Sequence, residues 1–441
     1  MHTIVVGLGK TGASCLRYLA KRGVSVVATD SRRAPPALSE LGDLASRLDL
    51  RLGGFDLSLL EGASQILMSP GVSLDEPIAA QARARGIEIV GDVELFARAA
   101  RAPVIAVTGT NGKSTVTTLV ERMAATDGRR VLAGGNLGRP ALDLLDEATP
   151  DLYVLELSSF QLETTRSLAP QAAAVLNVSA DHMDRYVSLA DYARAKRLIY
   201  ARAATQIVNA DDPMVAAMRR ADARALTFSA RGVAADFGLL QDGGKTHLAR
   251  RGERLLEVAA LKITGIHNAA NALAALALGE AAGLRLPAML EALAAFPGLP
   301  HRCEWVADRG GVRYIDDSKG TNVGATVAAV AGMDRPIVLI AGGEGKGQDF
   351  TPLAAGLRGK VHTAVLIGKD AASIARVLDG VCVVSRAATM PEAVALAAHA
   401  ARPGEAVLLS PACASLDMFR DYAHRGAEFA AAVHGLAGAA P

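Results

Sequence analysis

Short apolar runs rich in Val and Ile alternate with longer Ala- and Leu-rich stretches along most of the chain. Continuous apolar runs suit strands buried on both faces, and the stretches between them suit helices that cover those faces. The pattern predicts an α/β fold of three domains, each a mainly parallel sheet flanked by helices. The first unit, 1–93, would hold strands at 3–6, 25–29, 65–69 and 87–90. The second, 94–298, opens on a strand at 103–108 and continues through strands at 151–156 and 172–178. Near its end come a polar hairpin over 245–258 and helices at 267–282 and 287–295. The turn-rich segment Phe296-Pro-Gly-Leu-Pro300 then leads into the third unit, 299–441. Its strands are expected near 312–315, 336–341, 363–367, 381–384 and 406–410. No short-period repeat and no low-complexity tract interrupts the series.

Composition narrows the class. The chain has 441 residues, enough for several separate cores, and only 4% are aromatic against 51% hydrophobic. Net charge is +2 with basic and acidic residues interspersed, so there is no electrostatic footprint for nucleic acid. Cys15, Cys303, Cys382 and Cys413 lie far apart without metal-ligand spacing and suit reduced thiols in the cytoplasm. The first strand begins at Thr3 with no secretory pattern ahead of it, which points to a cytoplasmic protein. The most apolar stretch, 269–278, is broken by Asn271; it is too short for membrane insertion and reads as a buried helix.

Chemistry enters at the ends of strands. Gly7-Leu8-Gly9-Lys10-Thr11-Gly12 follows the first strand and opens a helix, and Asp30 ends the next strand. Glycines at this spacing let backbone approach a pyrophosphate at a helix N-terminus, where unpaired N–H groups favour anions. Packing alone could also require these glycines. Ser31 and Arg32, beside Asp30, and Ser69-Pro70-Gly71 lie at the same edge of the predicted sheet, although an ordinary turn would explain the latter equally well. The second loop, Gly109-Thr110-Asn111-Gly112-Lys113-Ser114-Thr115, follows the strand at 103–108 and precedes an Ala/Val/Leu helix. Its N–H groups would cradle phosphates, Lys113 would reach the terminal ones, and Ser114 could ligate Mg²⁺. It departs from the strict phosphate-loop pattern at Val107, where a first glycine is usual. The architecture thus reads as a Rossmann-like N-terminal unit, a central ATPase of phosphate-loop type, and a Rossmann-like C-terminal unit.

Further acids and a histidine sit at other strand ends. Glu156 closes the strand at 151–156, and Asp181-His182-Met-Asp184-Arg185-Tyr186 follows the strand at 172–178. Magnesium prefers oxygen ligands, so His182 by itself would read as a turn histidine, and Lys196 as a surface lysine. A dehydrogenase would account for 7–12 and Asp30 but leaves the phosphate loop idle. A non-catalytic nucleotide sensor has no use for the acid and imidazole set.

The series Gly109–Ser114, Glu156-Leu-Ser-Ser-Phe-Gln-Leu-Glu163, Asp181–Tyr186, Gly265-Ile-His-Asn268, His301-Arg302, Asp317-Ser-Lys319, Gly342-Gly-Glu-Gly-Lys346 and Ser410-Pro-Ala-Cys-Ala-Ser-Leu-Asp417 resembles the Mur ligases, in order and over essentially the whole chain. Glu344 stands where Asp is expected, and the loop between Tyr186 and Lys196 is slightly short. The details match a member that adds D-glutamate to UDP-N-acetylmuramoyl-L-alanine with ATP through an acyl phosphate. An L-glutamate-adding variant is the alternative. A folylpolyglutamate synthetase-like ligase would share the central motifs but not the first unit. The resemblance implies that Gly109 to Thr115, with Asn268, Asn271, Arg302 and Asp317, bind ATP. It further implies one Mg²⁺ on Ser114 and Glu156, and a second on His182 and a carbamylated Lys196. Asn136 would lie near the reacting carboxylate, and Arg185, Thr321, Lys346, Ser415 and Tyr422 would bind glutamate. The UDP group would fall to Gly7 through Gly12, Asp30, Ser31, Arg32 and Ser69 through Gly71.

Overall fold

A computed structural model describes residues 1–232 and 234–436; the end of the expected third unit, 437–441, lies outside the described residues. Among these residues the strands assemble into three sheets. The first contains β1 (His2–Val6), β2 (Val26–Asp30), β3 (Asp49–Leu52), β4 (Ala63–Met68) and β5 (Glu88–Val90), in the order β3-β2-β1-β4-β5. All neighbours are parallel. Strand order reverses between β1 and β4, so the crevice beyond their carboxyl ends lies where Gly7 and Ser69 meet. There the Ser69 hydroxyl donates to the Gly7 carbonyl at 2.6 Å.

The second sheet has nine strands: β6 (Val104–Thr108), β7 (Val131–Gly135), β8 (Leu152–Glu156), β9 (Ala172–Val175), β10 (Thr205–Asn209), β11 (Arg224–Phe228), β12 (Phe237–Asp242), β13 (Lys245–Arg250) and β14 (Glu253–Glu257). β6 lies between β8 and β9, both parallel to it. The hairpin expected over 245–258 is part of a larger antiparallel meander, because β12 pairs with β13 along its full length. β9 stops at Val175 rather than Val178; beyond it Asn177 turns to bond the phosphate loop. The helix Ile266–Ala281 is buried from Asn271 to Gly279 and shares a core with the helix Lys113–Thr126. No described helix is long and apolar enough to cross a membrane.

The third sheet runs β15 (Glu304–Arg309), β16 (Val312–Asp316), β20 (Ala406–Leu409), β17 (Ile337–Gly342), β18 (Val361–Ile367) and β19 (Val383–Arg386), parallel except at the β15 edge.

Polar contacts fasten the first sheet's layer to the second. Asp143 accepts from the Ser14 hydroxyl at 2.6 Å and from Arg17 at 3.0 Å. Glu94 accepts the Arg166 and Ser167 N–H groups at 2.7 and 2.9 Å. Asp92 is 1% exposed; it receives Gln161 Nε2 at 3.0 Å on one oxygen and has no partner on the other. Burial pushes its carboxyl up to about 6. A carboxyl whose value rises on folding contributes stability at acid pH that is lost as pH climbs from about 3.9 through about 6. The penalty at neutral pH is at most about 3 kcal/mol. Asp92→Asn should therefore gain on wild type as pH rises from 4 to 7, read as the difference in thermal midpoints. A gap constant across that range would show that Asp92 is ionised in both states.

Candidate active site

The phosphate loop is shaped by two glycines and a neighbouring helix. Gly109 and Gly112 adopt φ of 152° and 84°, values open to glycine and strained for other residues. A Cβ on Gly112 would lie 2.4 Å from Asn271 Oδ1, so helix Ile266–Ala281 closes against the loop. The Asn177 side chain clamps the loop from β9, accepting Asn111 N–H at 2.8 Å and donating to its carbonyl at 3.1 Å. Val107, where the phosphate-loop pattern would place its first glycine, is fully buried in β6.

Two lysines converge on this loop. Lys113 Nζ donates to the carbonyls of Gly109 and Thr110, both at 2.9 Å. Lys196 reaches the Gly109 carbonyl from beneath, also at 2.9 Å, and is 1% exposed. Ser188 caps the helix Leu189–Arg197, which carries Lys196 inward with its ammonium 4.2 Å from the Tyr192 ring centroid. Burial holds the Lys113 ammonium below its ordinary value. Lys196 is driven well below, by burial first and then by the nearby charge of Lys113. A default surface lysine would have neither property.

Glu156, at the end of β8, is 2% exposed and accepts Asn136 Nδ2 at 2.7 Å on one oxygen. Its other oxygen is buried and has no hydrogen-bond partner. An orphaned carboxylate oxygen in a polar cleft fits a divalent cation that takes oxygen ligands. His182, at φ 57°, packs edge-to-face on Phe160 at 4.9 Å, and burial keeps its imidazole below the usual value. A largely neutral imidazole is the form able to ligate a metal.

The third sheet's loops supply the opposite wall. Arg302 crosses to donate to Ser114 Oγ at 2.9 Å. Asn322 bonds Asn111 through both amide groups, at 3.0 and 3.2 Å. Lys319 sits 3.7 Å from the Tyr422 ring centroid and is pushed down to about 8, by burial first and then by Arg302 and Lys113. Together these groups enclose a cavity of about 320 Å³. It is lined by Thr110 through Ser114, Asn136, Glu156, Asp181 and His182 on one side, and by Arg302, Lys319, Thr321, Asn322, Lys346, Ser415 and Tyr422 on the other.

Several expected residues lie elsewhere. Arg185 stacks over Phe160, 4.4 Å from the ring centroid, outside the cavity lining. Asn268 and Asn271 bond each other at 3.2 Å behind the loop. Asp317 is buried between Ser410 Oγ at 2.7 Å and Cys303 N–H at 3.3 Å, and burial raises it to about 7. The Gly7–Gly12 turn forms a separate locus on the first sheet. A Cβ on Gly12 would come within 2.0 Å of the Gly7 carbonyl, while Gly9 faces open space. Both oxygens of Asp30 are engaged, by Leu8 N–H at 2.6 Å and by Arg32, so Asp30 organises the turn. Sequence reasoning gave no role to Lys319, Asn322 or Asn177. Lys319 stood inside a recognised motif, whereas no local signal marks Asn322.

Three family models match the chain. One described as Mur ligase middle domain covers 107–279, one as Mur ligase MurD-like, N-terminal domain covers 1–91, and one as Mur ligase, glutamate ligase domain covers 301–413. A protein of Nitrosococcus oceani named UDP-N-acetylmuramoylalanine--D-glutamate ligase is 54% identical, over 98% of this chain and 96% of its own. The chain belongs to the Mur ligase family. A Mur ligase of Marinobacter nauticus with the same name is 51% identical over 99% of this chain and 98% of its own. Among solved structures, UDP-N-acetylmuramate-alanine ligase from Thermotoga maritima aligns with a TM-score of 0.63 at 20% identity, covering 98% of this chain and 99% of its own. A pseudomurein peptide ligase from Methanothermus fervidus gives 0.63 at 19%, covering 93% and 96%. These two share the three-domain Mur ligase fold. The two departures from the expected Mur ligase pattern leave the cavity intact. Glu344 turns its carboxylate to Lys369 at 2.9 Å, and the short loop still delivers Lys196 beneath the phosphate loop.

Proposed function

We propose that this Mur ligase is an ATP-dependent ligase that joins D-glutamate to UDP-N-acetylmuramoyl-L-alanine, in the cytoplasm, as a step of peptidoglycan precursor synthesis. The observation that carries the reading is the convergence of a phosphate loop, an orphaned carboxylate and a second wall of cationic side chains on one cavity. The names of relatives at 54% and 51% identity support these substrates. We assign 1–93 to the UDP-sugar, 94–298 to ATP and 299–441 to glutamate.

In this scheme the alanyl carboxylate attacks the γ-phosphorus, ADP leaves, and the resulting acyl phosphate meets the free amine of glutamate. The tetrahedral adduct expels phosphate, leaves the amide and releases a proton. Lys113 neutralises charge on the transferring phosphoryl group, and Asn136 orients the alanyl carboxylate. Lys319 and Lys346 face the entering glutamate together with Thr321, Ser415 and Tyr422. Arg185 reaches glutamate only if it leaves the Phe160 ring. Ser114 and Glu156 would hold one Mg²⁺, and His182 with Lys196 a second. Bound there, the metal would screen phosphate charge.

A carbamylated Lys196 completes the second set. The low proton affinity imposed on Lys196 by burial and Lys113 favours the neutral amine, the form that adds carbon dioxide. The resulting carbamate is an oxygen donor of the kind Mg²⁺ takes. The test is phosphate release with UDP-N-acetylmuramoyl-L-alanine and ATP, offering D-glutamate, L-glutamate, or a folate with L-glutamate. Release with D-glutamate alone is expected. Equal turnover of L-glutamate would overturn the stereochemical assignment, and release with the folate would overturn the reading as a whole.

A further inference from the structure

The helix Tyr422–His434 begins with a cavity residue and, one turn later, buries Arg425 completely. A guanidinium at 0% exposure normally sits against a carboxylate, yet none of its hydrogen-bond partners here is acidic. Nε donates to Ser318 Oγ at 3.0 Å, one terminal nitrogen to the Ser318 carbonyl at 2.8 Å, and the other to the Cys413 carbonyl at 3.1 Å. The Ser318 hydroxyl in turn donates to the Tyr422 carbonyl at 2.8 Å. Space for this arrangement depends on the next residue: a Cβ on Gly426 would lie 2.3 Å from His301 Nδ1 and 2.5 Å from Asp316 Oδ2.

We propose that Arg425 is a positioning residue that sets the glutamate half of the cavity by locking three separate segments to one planar group. Each bonded group neighbours a lining side chain. Lys319 follows Ser318, Ser415 lies two residues past Cys413, and Tyr422 opens the helix that carries Arg425. A guanidinium presents donors in a fixed plane, so it holds both loops at a defined angle; an ammonium is a point charge and a thioether donates nothing. The nucleotide side is held by other means, with Asp317 bonded to Ser410 and Cys303 and the phosphate loop clamped by Asn177. Arg425 therefore acts on glutamate and leaves ATP alone. This role rests on the proposed glutamate-adding function.

The experiment is steady-state kinetics of Arg425→Met and Arg425→Lys with all three substrates. Arg425→Met should raise KM for D-glutamate about tenfold or more, while KM for ATP and for the UDP substrate stays within about threefold. Arg425→Lys should recover part of the loss. A fall in kcat alone, an equal rise in all three KM values, or unchanged kinetics would overturn the proposal. Failure of both variants to fold would overturn it too, making Arg425 a general scaffold residue. Absence of D-glutamate product from the wild-type enzyme in the same assay would refute the functional reading, and this role with it.

Discussion

Lys113→Ala is expected to lower the ligation rate by about a thousandfold or more while leaving the fold in place. The ammonium stands over the Gly109 and Thr110 carbonyls at the mouth of the loop, where charge would build on the transferring phosphoryl group. In a site that excludes water, such a charge interaction is worth several kcal/mol. The fold should survive because the Asn177 clamp on Asn111 and the glycine backbone of the loop remain when the two Lys113 bonds are lost. Rapid-mix measurement of ADP formation, with circular dichroism as the control for folding, reads both halves. A variant that retains more than about a tenth of wild-type turnover would remove Lys113 from the phosphoryl transfer.

Lys196→Ala carries the second large effect, with a loss of similar size, and its value lies in the rescue. Buried and packed on Tyr192, Lys196 could act in two ways: as a carbamate oxygen donor, or as a cation against phosphate. The two differ in the sign of the charge that must be restored. Under the carbamate reading, acetate or formate should recover part of the activity and small amines should not. Rescue by amines without rescue by carboxylates would assign the positive charge instead. The wild-type enzyme gives a parallel check: stripping carbon dioxide from the buffer should slow it, and bicarbonate should restore it.

The sequence alone was sufficient for features that are local. Apolar runs long enough to be buried on both faces predicted β1, β2, β4 to β6 and β8, and most of the third sheet. The turns Gly7–Gly12 and Gly109–Gly112 were legible because Gly7, Gly12, Gly109 and Gly112 sit at backbone angles or close approaches that favour glycine, a constraint written into a few consecutive residues. Two of the strands that escaped notice show the limit of the same logic. β3 reads Asp-Leu-Arg-Leu and β15 opens on Glu304-Trp305; both are edge strands with a solvated side, so neither presents a continuous apolar run.

Only the tertiary structure decided what the strand ends do to one another. Nothing near Lys196 in the chain marks it as buried; it becomes so because Ser188 starts a helix that aims it at Gly109, far away in sequence. Arg302 reaches Ser114 through packing between separate domains, and Lys319 meets Tyr422, far away in sequence, within the third. No local signal marks Arg425, whose three acceptors lie on Ser318 and Cys413. Local spacing restricts a segment's own torsion angles. The field at a side chain is set by groups brought near in space, so proton affinity and positioning belong to the assembled molecule.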